Sequence, residues 1–248
     1  MNQAEPRHTG AVLQAFRDFT DRLAGEHLVF TTDRESNEFV LTNLFAFCLG
    51  GCIDRRAKSD LVWRVPLFLR NTWGHLDPAR IGTLSCESIA AALKMSGCGW
   101  QLNLEDVART ILELAQLVNV ECDGEVERLF AGTASEILNR LDDLFGVGPG
   151  IANMLLIQRV RFFGLRPAGL TVLTVKADTH VVRVFHRTGL SDAPTESSTL
   201  AAAAKLTVDE RIAADQAAWN IGRAHCRVVA PECSRCVLDA ICPKVSLT

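Results

Sequence analysis

LDDLFGVGPGIANMLL, residues 141–156, reads as two helices broken by a glycine turn. An amphipathic helix ends, Gly146-Val147-Gly148 makes a tight corner, and a second helix starts at once. Pro149 suits the first helical position, where its missing N–H leaves no bond unmade and its φ is already helical. Glycines let the backbone approach an anion closely, and turn amides together with a helix N-terminus attract one. Taken alone, G-V-G is a weak signal that any corner between two helices can carry.

Working outward, most of the chain also reads as helix. AVLQAFRDFTDRLAG (11–25), EFVLTNLFAFCLGG (38–51), SDLVWRVPLFLRNTW (59–73), SCESIAAALKM (85–95) and LEDVARTILELAQLVNV (104–120) carry apolar residues at helical spacing. Ser59 and Ser85 are candidate caps, Pro66 predicts a kink, and Thr133 with Glu136 forms a T-x-x-E capping box ahead of 133–145. After the turn-rich GLSDAPTESST (189–199), TLAAAAKL and DERIAADQAAWNIGRAHC read as helices again. LTVLTVKA (170–177) alone hints at strand alternation. The expected class is all-α.

The chain has 248 residues, 48% hydrophobic and 22% charged, as a soluble globular protein does. No apolar run reaches the roughly 18 residues that span a bilayer, and MNQAEPRHTG lacks the apolar core of a secretory signal. The expectation is a cytoplasmic protein without a membrane partner. A net charge of −3 does not advertise a polyanionic ligand, so any such surface must be a local basic patch.

Of nine cysteines, Cys48, Cys52, Cys86, Cys98 and Cys122 are scattered and read as small buried hydrophobes. The other four crowd together as Cys226-x6-Cys233-x2-Cys236-x5-Cys242. Four soft thiolates on short loops select zinc or iron–sulfur. Zinc sites more often pair two C-x2-C knuckles, whereas here only one gap is two residues long. The wider gaps suit a larger cubane, and spacing by itself favours that group over zinc modestly.

This spacing resembles the iron–sulfur loop of endonuclease III and of the adenine-mismatch glycosylase, and NIGRAHC (220–226) resembles that family's lead-in to the loop. L-x-G-V-G-x-G-x-A at 144–152 resembles the helix-hairpin-helix of the same DNA glycosylase superfamily. Within VKADTHVVRVFHRTGL (175–190), the pattern Asp-Thr-His-x-x-Arg-Val resembles the segment that supplies the family's catalytic aspartate. The three motifs follow one another in the family's order between residues 133 and 243.

The resemblance implies a [4Fe–4S] cluster on Cys226, Cys233, Cys236 and Cys242, with Arg223, Arg227, Arg235 and Lys244 in or beside its loop as candidate DNA contacts. It implies double-stranded DNA as partner, gripped through its phosphates by Gly146, Val147, Gly148 and Gly150 without reading sequence. Arg55 and Arg56, with Lys58, form a basic run suited to phosphate. Asp178 takes the place of the catalytic carboxylate, which stabilises positive charge developing on the sugar or helps activate water. It is equally a good N-cap for a helix over 179–188, and the two roles are compatible. His180 and Arg183 read as structural.

The chain also departs from the family. Bifunctional members carry a lysine where this sequence has Gly150, so strand cleavage by that route is absent, and Lys176 is the rival amine. FAFCLGGCIDRR (45–56) lacks the adenine-mismatch branch's glutamate. Its Gly50, Gly51 and Cys52 either widen a base pocket or let helices pack closely. Phe162, Phe163 and Arg166 lie in a long loop and either touch DNA or, for the phenylalanines, belong to the core.

The resulting expectation is a monomeric, two-lobed helix-hairpin-helix glycosylase fold with an iron–sulfur cluster loop. One lobe spans 36–168 and ends in the hairpin; the other joins 1–35 to 169–248 and carries the loop 226–242. DNA is expected between the lobes, with a base flipped toward Asp178. The expected reaction is hydrolysis of an N-glycosidic bond to leave an abasic site. The alternatives are a bifunctional glycosylase/lyase and a non-catalytic iron–sulfur DNA-binding protein. Oxidised, deaminated, mismatched, alkylated and phage-type modified bases all remain open as substrates.

Overall fold

A computed structural model describes residues 4–26 and 28–245, the side chains of residues 4–7 excepted. Among them are thirteen α-helices, three short 3-10 turns and no strand. The helices are α1 (Ala4–Gly25), α2 (Arg34–Thr42), α3 (Leu44–Cys52), α4 (Ser59–Val62), α5 (Val65–Trp73), α6 (Pro78–Ile81) and α7 (Cys86–Met95). They continue with α8 (Leu104–Val120), α9 (Ala134–Asp142), α10 (Pro149–Phe163), α11 (Thr179–Arg187), α12 (Glu196–Ala203) and α13 (Val208–Ala224). The all-α class holds. No helix among the described residues is long and apolar enough to cross a membrane. The chain divides into two compact units, His27–Leu170 and Met1–Glu26 with Thr171–Thr248.

In the unit His27–Leu170, α3 is its most enclosed helix: every residue from Phe45 to Cys52 is buried. Such a helix has no polar face to lose, so it must be packed on all sides. Gly50 and Gly51 make that packing possible. A Cβ at Gly51 would lie 2.2 Å from Leu155 of α10, and one at Gly50 2.7 Å from the Trp63 ring. The glycine pair is therefore a close-packing device, and the wide-pocket reading of Gly50-Gly51-Cys52 is corrected.

An aromatic cluster fills the same core. Phe30 stacks on Trp63 at 4.4 Å, Phe163 meets Phe47 at 4.8 Å, and Phe162 meets Phe30 edge-on at 5.6 Å. Phe162 and Phe163 therefore do not lie in a loop: they end α10 and pack, partly buried, against the aromatic core. α8 presents Val107, Ile111, Leu114 and Val118 as its buried stripe. Cys48, Cys52, Cys98 and Cys122 are buried, and burial pushes the Cys52 and Cys98 thiols up to about 12.

Caps explain where the helices break. Asn43 ends α2 and also caps α3, its Oδ1 accepting from the Ala46 amide at 2.8 Å, so 38–51 is two helices and not one. The 59–73 stretch is likewise two: Pro66 falls in the first turn of α5 and starts that helix instead of kinking a longer one. Lys58, not Ser59, holds the cap position of α4, and the Ser59 hydroxyl donates to Asp54. Ser85 caps α7, and Thr133 with Glu136 forms the expected capping box on α9.

In the second unit, α1, α11, α12 and α13 surround Phe16, Val181, Val184, Phe185 and Ile221. Burying a Phe completely stabilises by about 2–3 kcal/mol, and Phe16 and Phe185 are both fully buried. Ala213, Ala214, Ala217 and Ala218 give α13 a thin wall against its neighbours. Leu173 and Val175 point into the core from a segment that is not a strand: after the 3-10 turn Leu170–Val172 it runs without a sheet partner.

Candidate functional site

The glycine turn between α9 and α10 is built from the inside. The Val147 amide closes it by donating to Leu144 O at 3.0 Å, and the buried Val147 side chain anchors it. Gly146 has φ +73°, the left-handed region that glycine reaches without strain. Gly148 is the N-cap of α10 in extended backbone (φ −102°, ψ 176°), and Pro149 follows at the first helical position. A side chain at Gly148 would meet open space, so the turn itself does not demand glycine there. Gly150 is exposed in the first turn of α10, just ahead of the Ile151 and Ala152 amides, which both donate to Gly148 O.

Side chains of α8 pin this turn. Thr110 donates to Phe145 O at 2.8 Å, and Glu113 accepts from the Phe145 amide at 2.8 Å. Arg55 completes the support: its guanidinium donates to Thr110 Oγ1 at 2.7 Å and to Asp106 O at 3.1 Å, and lies where a Cβ on Gly146 would be. Burial pulls its pKa down from the usual arginine value. Arg55 therefore supports the hairpin from within, whereas its neighbour Arg56 is exposed, with φ +51°.

In the other unit, Asp178 is the N-cap of α11. Its Oδ1 accepts both cap bonds, from His180 N at 2.8 Å and Val181 N at 3.0 Å, which leaves Oδ2 outside the cap. The Asp178 amide donates back to Lys176 O at 2.7 Å. The Lys176 amide in turn donates to Oδ1 of Asp215, a residue of α13 that is only 3% exposed. Burial pushes the Asp215 carboxyl up to about 7; the Lys176 amide opposes that rise and the charge of Asp178 adds to it.

α11 also ties Asp178 to the cysteine loop. Arg183 donates to the carbonyls of Cys226, Gly222 and Thr179 and contacts His180 Nδ1 at 3.0 Å. One turn on, Arg187 donates to Cys226 Sγ at 3.4 Å and to Arg227 O at 2.6 Å, and its own carbonyl accepts from Cys242 Sγ. Cys226, Cys233, Cys236 and Cys242 line one small cavity with Val184, Ile221 and Leu238. Backbone amides of Leu238 and Lys244 bond to Cys236 and Cys242, whose thiols burial pushes up. Among the described residues, no group of three or more His, Cys, Asp or Glu side chains converges as a single metal ion requires.

The basic residues of the loop are paired. Glu232 takes Arg227 and Arg235, each at 2.9 Å, and Asp239 takes Lys244 at 2.7 Å. Arg227 stays 56% exposed in its pair, and surface pairs of this kind are worth only about 0–1 kcal/mol, weak enough for a phosphate to displace. The candidates thus fall into two groups: Arg55, Arg56, Gly146, Val147, Gly148 and Gly150 in one unit, and Asp178 and Arg227 with the cysteine loop in the other. Sequence reasoning missed Thr110, Glu113, Arg187 and Asp215. For Asp215 the signal was an acid inside the small apolar run IAADQAAW (212–219).

No protein-family profile matches the chain, and no curated protein does. Solved structures do, and the fold is that of the helix-hairpin-helix DNA glycosylases. A trapped covalent intermediate of endonuclease III with DNA is 20% identical with a TM-score of 0.63, covering 95% of both chains. A thermostable thymine-DNA glycosylase is 17% identical with a TM-score of 0.65, covering 98% of both chains. A non-covalent endonuclease III–DNA complex is 23% identical with a TM-score of 0.59, covering 94% of this chain and 95% of that one.

Proposed function

We propose that the protein is a DNA N-glycosylase that hydrolyses the bond between a flipped base and its deoxyribose and leaves an abasic site. The observation that carries this reading is the half-used carboxylate of Asp178: Oδ1 is fixed by two cap amides while Oδ2 lies outside the cap, within a fold shared with DNA glycosylases. A carboxylate held this way cannot swing to follow the substrate. It meets the oxocarbenium-like sugar with its charge already placed, which lowers the barrier without reorganisation. It also accepts a proton from an attacking water.

The hairpin is the proposed backbone grip. Gly146, Gly148 and Gly150 carry the amides proposed to face the phosphate at this helix N-terminus, while Val147, whose amide closes the turn, anchors it from the core. Exposed Arg56 is the proposed phosphate cation of the hairpin's unit and half-exposed Arg227 that of the cysteine loop, while Arg55 acts by holding the turn. Gly150 has no amine, so the strand is left uncut.

Cys226, Cys233, Cys236 and Cys242 are the proposed ligands of a [4Fe–4S] cluster. Four soft donors lining one cavity, with amide and guanidinium donors on the sulfurs, suit a thiolate-held iron–sulfur group, and the six- and five-residue gaps between them favour it over zinc. When bound, the group would join the separate stretches of the loop into one rigid piece, and no proton or bond of the glycosylase step passes through it. Protein purified without oxygen should be brown, with iron at about four per chain and broad absorption near 400 nm. Stoichiometric zinc in a colourless preparation would refute the assignment.

The reaction is tested with duplexes carrying oxidised, deaminated, mismatched, alkylated or hypermodified bases. Release of a base should leave a strand that breaks only after alkali, with no adduct on borohydride. Cleavage without alkali together with a trapped adduct would establish the bifunctional alternative, with Lys176 as the first lysine to mutate.

A further inference from the structure

The segment in front of Asp178 is irregular and has no strand beside it among the described residues, and one face of α13 serves its backbone instead. Arg211 donates to the carbonyls of Thr171 and Leu173, and one helical turn later Asp215 accepts from the Lys176 amide at 2.6 Å. A cation serves the carbonyls and an anion serves the amide, at i and i+4 on the same helix face. Further along that face, Gly222 lets the start of α11 come close: a Cβ there would lie 2.7 Å from the His180 Cβ. The stripe 211, 215, 222 therefore templates the backbone from Thr171 to His180, and Asp178 sits inside that span.

We propose that Asp215 is the positioning residue for Asp178: its buried carboxylate holds the Lys176 amide and thereby fixes the Lys176-Ala177-Asp178 turn that presents the reacting carboxylate. The proposal rests on reading Asp178 as that carboxylate. Asp215 touches no substrate and acts only through this turn, which is closed by the bond from Asp178 N to Lys176 O.

Lys176 and Asp178 act on Asp215 from the segment ahead of α11, and Arg211 lies one turn back on α13. Because burial and the charge of Asp178 hold the Asp215 carboxyl near 7, it ionises across the neutral range. Ionisation makes its bond to the amide charge-assisted and adds negative charge beside Asp178. Base release should therefore speed up as pH rises through about 7.

The test is single-turnover base release against pH for wild type, D215N and D215A, with hydrogen exchange of the Lys176 amide measured alongside. D215N keeps an acceptor without a charge. It should match wild type within about 2-fold at pH 6, fall about 10-fold behind at pH 8 and lack the rise near 7. D215A should be slower at every pH, and its Lys176 amide should exchange at least about 10-fold faster. A D215N profile that still rises near 7, or Lys176 exchange unchanged in D215A, would overturn the proposal. Exchange is read without any substrate, so a wild type that releases no base sinks the glycosylase reading alone and leaves the clamp standing.

Discussion

The hairpin turn and the segment carrying Asp178 are both irregular stretches held in shape by side chains from a neighbouring helix, but the holding groups differ in kind. The hairpin is pinned by Thr110, Glu113 and Arg55, a buried hydroxyl beside a carboxylate and a guanidinium that are each partly exposed. The Asp178 segment is pinned by a carboxyl buried to 3% exposure and raised to about 7. A surface proposed to grip phosphate is thus held in part by charged side chains near solvent. A carboxylate proposed to do chemistry is held by a buried group that titrates. The difference teaches that rigidity and tuning come from the same device, a side chain bonded to backbone, placed at different depths.

The comparison breaks most completely through the helix beneath the hairpin. Gly51→Gln forces a side chain into Leu155 of α10, and we expect a loss of about 3–5 kcal/mol or failure to fold, read by urea denaturation. A stable Gly51→Gln variant with altered base preference would restore the wide-pocket reading.

Gly146→Val meets both the left-handed φ and the Arg55 guanidinium, and should cost about 2–4 kcal/mol. Gly148→Val meets open space in extended backbone, so it should cost no more than about 1 kcal/mol, the difference in cap preference. It should nevertheless weaken binding to all duplexes alike, because its bulk lies where the phosphate is proposed to sit. Equal stability losses at 146 and 148 would mean that the turn is not built as described.

The Asp178 side of the comparison is sharpened by pH. The folded-state pKa of Asp215, about 7, lies above the roughly 3.9 of an unfolded aspartate. Between those values the unfolded chain has released a proton that the folded chain still holds, so stability falls as pH rises from about 4 to about 7. D215N should lack this part of the decline, a difference on the order of a few kcal/mol at most between pH 4 and 8. Parallel stability–pH curves for the two proteins would contradict the raised pKa. The smallest effect is expected for Arg56→Ala: unchanged stability and a salt dependence of DNA binding reduced by about one phosphate contact.

What the sequence disclosed was local. The capping box Thr133–Glu136, the Ser85 cap, Asp178 before its helix and Pro149 after the turn all depend on residues within a few positions of one another. The cysteine spacing is local in the same sense. What it hid was long-range or two-sided. Arg55 reaches Gly146 from far back in the chain and Asp215 reaches Lys176 across 39 residues, separations at which a charged residue looks like any other. Asn43 ends one helix and caps the next, so an unbroken apolar pattern concealed a break. Gly50 and Gly51 fitted two readings until Leu155 and Trp63 were in place.

The central claim is that Asp178 performs the chemistry rather than merely capping α11, and D178N separates the two. The asparagine Oδ1 still accepts from His180 N and Val181 N, so α11 and duplex affinity should be retained within about 3-fold, since asparagine caps as well as aspartate. Base release measured in a single turnover should fall by about 100-fold or more, because the charge facing the sugar is gone. Release at the wild-type rate by a folded, DNA-binding D178N protein would contradict the account.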